Sequence, residues 1–165
     1  MLNKLKELAK GKRIKIVGHK NPDFDSIASG IIAERFLLSN EIDARFFCEE
    51  VSDINALSAL NYLGIEISSY YGKIEEDDHL FLVDHHSTEY KNFVVGCIDH
   101  HPTDFEIDLP VYVNSASSSC ALSIFRIAEK EGTVFDKNDV KLVLLSIYMD
   151  TRSCKSTKFN LLVVW

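Results

Sequence analysis

"VGHKNPDFDSIASG", residues 17–30, places one imidazole and two carboxylates, His19, Asp23 and Asp25, in a single short turn. The turn follows "RIKIVG" at 13–18, an apolar run that reads as a buried strand. It precedes "DSIASGIIAERFLL" at 25–38, where Ile27, Ile31, Ile32 and Leu38 mark a helix with Asp25 or Ser26 as its N-cap. A strand that enters a helix through a polar turn is the building unit of an α/β sheet. Two anions held so close repel each other unless positive charge lies between them. The stretch therefore asks for a cation as well as for a fold.

The same alternation runs through the rest of the chain. "IDARFFCE" at 42–49 reads as a strand, and "SDINALSALNYLG" at 52–64 as a helix with an Asp near its start and Gly64 as its stop. "HLFLVDH" at 79–85 and "FVVGCIDH" at 93–100 are short apolar strands, each ending in a polar cluster, and "VYVN" at 111–114 is a further strand. Two helical patterns follow, near 118–131 and 137–149, broken around Gly132, and "MLNKLKELAKGKRI" opens the chain as a short amphipathic helix. The pattern predicts a doubly wound, mostly parallel sheet with helices on both faces. In such sheets ligands bind beyond the carboxyl ends of the strands. Polar clusters that follow three separate strands should then converge along one edge.

A chain of 165 residues, 46% apolar and 26% charged, is long enough for one domain with a sizeable core. The net charge of −7 argues against nucleic acid, whose backbone needs a basic face. It is compatible with a small anionic phosphate substrate, because a bound divalent cation inverts the local field. Cys48, Cys97, Cys120 and Cys154 form no CxxC pair and read as reduced thiols, which predicts a cytoplasmic protein. The N-terminal stretch is too charged for a secretory segment. No apolar run approaches the roughly 20 residues of a membrane span, so no membrane partner is expected.

Four clusters carry chemistry: His19 with Asp23 and Asp25, "DHHS" from Asp84, "DHHP" from Asp99, and Asp150 in "SIYMDT". Of the six histidines only His79 stands outside the first three. One such cluster alone would be a helix cap or a turn. The same coincidence at three strand ends points instead to a shared metal site. Imidazoles mixed with carboxylates and no thiolate suit Mn²⁺ or Mg²⁺, with Fe²⁺, Co²⁺ or Zn²⁺ also accepted by such donors. The number of carboxylates suggests two ions. Two ions about 3.5–4 Å apart share a water, generate hydroxide near neutral pH and serve in-line attack on phosphorus.

In their order, "GHKNPDFDS", "VDHH", "DHH" and "MDT" resemble the DHH phosphoesterase superfamily, from residue 14 to about 157. The branch most similar is the family II, manganese-dependent inorganic pyrophosphatases, which share the GHKNPDxDS shape, a stretch like "SASSSCAL" and one like "DTRSCKST". The resemblance implies that His19 and Asp23 bind one metal, that Asp25, His100 and Asp150 bind the other, and that Asp84 bridges both. It implies a catalytic His101 that faces the substrate and donates a proton to the leaving phosphate. Asp99 would orient a histidine through its other nitrogen, and Asn21, with Lys20 beside it, would support the site. The implied cofactors are two divalent ions, Mn²⁺ first, with Mg²⁺ or Co²⁺ as alternatives.

The implied activity is hydrolysis of pyrophosphate by a hydroxide bridging the two metals. The alternatives are exopolyphosphatase or other DHH phosphodiesterase activity, or a metal- or nucleotide-binding regulatory remnant without turnover. The departures from the branch concern the substrate. Phe24 stands between the aspartates where a small residue is usual, His86 stands where Asn is usual, and "SSSC" is similar to the exopolyphosphatase branch. "PDFDS" differs from the PDGDA of the nucleases. Relatives of this kind continue into a second domain whose basic residues grip the phosphates. Residues 1–165 are expected to be the metal-binding catalytic domain alone, without that C-terminal domain. Its open cleft edge would favour a homodimer.

Overall fold

A computed structural model describes residues 1–75, 78–87, 89, 93–104 and 106–155. The tail "KFNLLVVW", with Lys158, lies outside the described residues. Five strands, β1 (Ile14–Val17), β2 (Ala44–Phe47), β3 (His79–Val83), β4 (Val94–Asp99) and β5 (Tyr112–Asn114), form one sheet in the order β2-β1-β3-β4-β5. Every pairing is parallel, so the expected α/β architecture is the observed one. The helices are α1 (Leu2–Leu8), α2 (Phe24–Ser39), α3 (Ile54–Leu63), α4 (Cys120–Lys130) and α5 (Lys137–Asp150), with a 3₁₀ turn at Ile67–Tyr70.

The alternation of each strand sorts its residues between two cores. Ile14, Ile16, Phe46, Phe81 and Ile98 join the buried residues of the helices in the larger cluster. Val17, Leu80, Leu82 and Cys97 join the smaller one, with Ile74, Phe93 and Leu109 packed against it. Helix α2 is buried nearly all round from Phe24 to Ala33, as a helix without a polar face must be. It presses so close to the sheet that a Cβ on Gly30 would stand 2.1 Å from the ring of Phe46.

Local signals set the helix ends. Asp53 caps α3 by accepting from the Asn55 and Ala56 amides, and Gly64 ends it at φ 68°. Asp136 and Asp139 form a capping box on α5, and Asp139 also reaches Arg35 of α2 at 2.7 Å. The cap of α2 departs from the sequence reading. Asp23, rather than Asp25 or Ser26, accepts the Ser26 amide at 3.0 Å. Asp25 therefore lies one residue inside the helix, and its side chain is carried into the core.

The strand order reverses between β1 and β3, because the chain leaves β1 for the edge strand β2 and returns to β3 on the other side. Such a switch point opens a crevice at the carboxyl ends. His19, Asp84 and His100 follow β1, β3 and β4 at that edge. Among the described residues no helix is long and apolar enough to cross a membrane.

Candidate metal centre

Asp84 follows the last residue of β3 with φ 63°, a left-handed backbone that costs a non-glycine residue about 1–3 kcal/mol. Its amide is anchored to the Ile98 carbonyl at 3.0 Å, so the neighbouring strand holds the turn in place. The carboxylate is 2% exposed and divides between two groups of side chains. Oδ2 lies 3.5 Å from His19 Nε2, and Oδ1 lies 3.3 Å from His100 Nε2.

On the first side, donor atoms of His19, Asp23 and Asp84 lie within 4.8 Å of one another. The ring nitrogen Nδ1 of His19 is 2.9 Å from the Lys20 carbonyl, which accepts only from a proton-bearing nitrogen. That bond leaves Nε2 toward Asp23 at 3.6 Å and toward Asp84. Asp23 first, and Asp84 next, push the His19 imidazole up to about 10 against the effect of burial. Burial would raise Asp23, but His19 and the Ser26 amide overcome it and hold the carboxyl below its usual range. Gly18 makes this approach sterically feasible. A Cβ there would stand 2.1 Å from the Ser26 Oγ that accepts the His19 amide at 3.2 Å. Asn21 takes φ 51° in the same turn, a conformation Asn tolerates. Its side chain is exposed. Lys20 is exposed, with Nζ 3.1 Å from Glu89.

On the second side, donor atoms of Asp25, His100 and Asp150 lie within 4.8 Å of one another. Asp25 accepts the Cys120 and Ala121 amides at 2.8 and 3.1 Å and the Ser146 hydroxyl at 2.6 Å. The positive end of α4 is thus aimed at the carboxylate. Burial, and then the charge of Asp84, still push Asp25 up to about 7. His100 places Nδ1 3.2 Å from the Ser117 carbonyl and Nε2 3.5 Å from Asp25. Burial would lower His100, but Asp84 and then Asp25 raise it to about 9. A cavity of about 1030 Å³ opens on this side, bordered by Asp25, Asp150, Arg152 and Lys155.

Among the described residues, buried Asp84 Oδ1 and His100 Nε2 both lack a hydrogen bond. Buried polar atoms rarely stay unsatisfied, and a nitrogen and an oxygen aimed at one region are what a cation accepts once the imidazole gives up its proton. The mixed N and O donors fit Mn²⁺ or Mg²⁺. The nearby thiol of Cys120 is turned away to the Ile98 carbonyl at 3.2 Å.

Asp99 is fully buried and holds two histidines. Oδ1 accepts from His101 Nδ1 at 2.8 Å and from the His100 and His101 amides at 2.8 and 3.2 Å, while Oδ2 pairs with His86 Nδ1. Burial alone would raise this carboxyl, yet the bonds from His101 and His86 hold it well below the carboxylate range. Asp99 thus orients His101 and His86 but reaches only the backbone of His100. The Asp99 bond in turn raises the His101 imidazole, whose ring is 45% exposed and presents Nε2 outward.

Sequence reasoning did not identify Ser29, Ser117, Ser146 or the α4 amides as part of the centre. The available signal was the serine run 117–119 ahead of a helical pattern, the mark of a helix start.

Residues 13–147 match the DHH family, N-terminal domain. A probable manganese-dependent inorganic pyrophosphatase of Bacillus cereus is 29% identical over 156 residues, covering 88% of this chain and 50% of that one. Another from Bacillus licheniformis is 30% identical over 155 residues, covering 87% and 50%. The chain spans about half the length of the curated relatives it matches. A solved exopolyphosphatase-related protein from Bacteroides fragilis superposes with a TM-score of 0.72 at 15% identity, over 99% of this chain and 54% of that one. That likeness is one of fold.

Proposed function

This chain belongs to the DHH family, and from that membership we propose that it is a metal-dependent hydrolase of a phosphoanhydride bond, with inorganic pyrophosphate as substrate. The observation that carries the reading is the divided carboxylate of Asp84, with one oxygen facing His19 and the other facing His100. His19 and Asp23 would hold one divalent cation, Asp25, His100 and Asp150 the other, and Asp84 would serve both. The relatives described as manganese-dependent support Mn²⁺ as the ion. Bound there, the cations supply charge neutralisation and the activation of water.

The remaining chemistry belongs to the chain. Asp99 raises the His101 imidazole, which favours its protonated form, and His101 would give that proton from Nε2 to the leaving phosphate. Asp99 keeps the ring oriented and stabilises its charged form. The buried serine hydroxyls and α4 amides around Asp25 keep that carboxylate in place. A substrate of high charge must also be held in line. The relatives run to about twice the matched length, which supports a further domain as the source of the cations that grip it.

Phosphate release from pyrophosphate, tripolyphosphate and a dinucleotide, each with Mn²⁺, tests the reading. Release from pyrophosphate that stops with chelator and returns with Mn²⁺ is expected. Release from the dinucleotide alone would overturn the choice of bond, and undiminished release in chelator would overturn the role of metal.

A further inference from the structure

His86 has no part in the proposed chemistry, yet it touches the carboxylate on which the orientation of His101 depends. Its Nδ1 donates to Asp99 Oδ2, and Asp99 is fully buried. The loop that carries His86 is pinned to β4 just before it. The Asp84 amide donates to the Ile98 carbonyl at 3.0 Å, and the Cys97 thiol donates to the His85 carbonyl at 3.2 Å. His86 also borders the open groove that contains Asp84 and His101. Asn is usual at this position in the branch that the chain resembles, and its amide is likewise an N–H donor.

The two oxygens of Asp99 carry unequal loads. Oδ1 accepts three N–H groups, from the His100 and His101 amides and from His101 Nδ1, although one carboxylate oxygen offers about two lone-pair sites. Oδ2 is held by the His86 imidazole. Without that donor, rotation of the carboxylate would relieve Oδ1 and bring one of the same N–H groups to Oδ2, because a buried acceptor rarely stays unpaired. The group able to move is His101 Nδ1. Its ring is 45% exposed, whereas the two amides belong to the backbone. The ring would then leave the edge-on contact that it makes with His100, 4.7 Å between ring centres. We infer that His86 is a positioning residue: it anchors Asp99 Oδ2, so that Oδ1 holds the His101 ring with Nε2 outward. The inference rests on the hydrolase reading for its effect on turnover and on the geometry of Asp99 alone for its effect on the ring.

The test compares the wild-type chain with His86→Phe, which keeps a ring and loses the donor, and with His86→Asn, which keeps a donor. Proton NMR with Mg²⁺ present reads the His101 Nδ1 proton, held downfield by its carboxylate and assigned by its absence in His101→Gln. His86→Phe is expected to shift or lose this resonance, and His86→Asn to keep it. Pyrophosphate turnover with Mn²⁺ should fall about 10–100-fold in His86→Phe, the usual cost of losing a group that orients another. KM and Mn²⁺ affinity should stay unchanged, since the proton is given only in the transition state. Turnover should recover in His86→Asn. Melting curves establish that each variant folds, and His86→Leu supplies the same loss of donor should His86→Phe fail to fold. A His101 resonance unchanged in His86→Phe, a resonance lost equally in His86→Phe and His86→Asn, or full turnover in His86→Phe would overturn the inference. No hydrolysis by the wild-type chain, with the resonance lost in His86→Phe and kept in His86→Asn, would instead count against the hydrolase reading and support the positioning of the ring.

Discussion

His101 Nδ1 lies 2.8 Å from Asp99 Oδ1, and this contact decides which nitrogen of the ring faces outward. A histidine committed to a buried carboxylate through Nδ1 is free to act only through Nε2. His101→Gln should therefore keep both metal groups and lose about 10²–10⁴-fold in turnover, the usual worth of general acid catalysis. Elemental analysis beside a rate assay of an active form checks this. Loss of a metal in His101→Gln would show that the roles of His100 and His101 are reversed.

Asp84→Asn is expected to weaken both metal groups together, since one carboxylate faces each of them. Asn tolerates the left-handed backbone at this position, so the fold should persist and the loss should report the charge. Mn²⁺ titration with a melting curve reads both. Retention of two full-affinity ions would refute the shared role of Asp84.

Binding of Mn²⁺ should release protons and strengthen as pH rises from about 6 to 8. In the metal-free chain His19 is raised to about 10, His100 to about 9 and Asp25 to about 7, so each holds a proton that a cation must displace. The stability of the metal-free chain should run the opposite way for the two imidazoles. Their contribution is complete below the ordinary histidine value of about 6.5 and is lost as pH rises through about 9 to 10. Calorimetry in buffers of different ionisation enthalpy counts the protons. An affinity independent of pH would contradict the assignment.

Gly18→Ala should destabilise the chain by about 1–3 kcal/mol, because the new Cβ meets Ser26 Oγ at 2.1 Å in a packed turn. The Mn²⁺ affinity should fall with it, since the same Oγ positions the His19 amide. Adding Ser26→Ala removes the nearest clashing atom and should recover part of the melting temperature but not the metal affinity.

Assayed alone with saturating Mn²⁺, the 165-residue chain should hydrolyse pyrophosphate slowly. The cations that border the Asp25–Asp150 side are Arg152 and Lys155, against the acidic Asp23, Asp25, Asp53 and Asp150. Holding a charged substrate in line contributes several kcal/mol, so its loss costs decades in rate. A turnover number near the roughly 10 s⁻¹ of a typical enzyme would show that further phosphate contacts are dispensable.

What the sequence determined by itself was everything governed by short-range periodicity and capping. Strand residues alternate and helix residues recur on one face, so the sheet class and the placement of His19, Asp84 and His100 at strand ends could be read directly. Asp53 and Gly64 were legible as helix ends for the same reason: a cap bonds to amides two or three residues away. The choice between Asp23 and Asp25 as the cap of α2 was not legible. Both are carboxylates at the helix start, and only packing decides which is turned inward. Asp25 is drawn into the core by the Cys120 and Ala121 amides and the Ser146 hydroxyl, which lie 95, 96 and 121 residues along the chain. Asp99 likewise chose His86, 13 residues away, together with His101, over the side chain of adjacent His100. Tertiary structure decided these pairings because a buried carboxylate takes whichever donors the packed elements bring to it, and sequence distance has no part in that geometry.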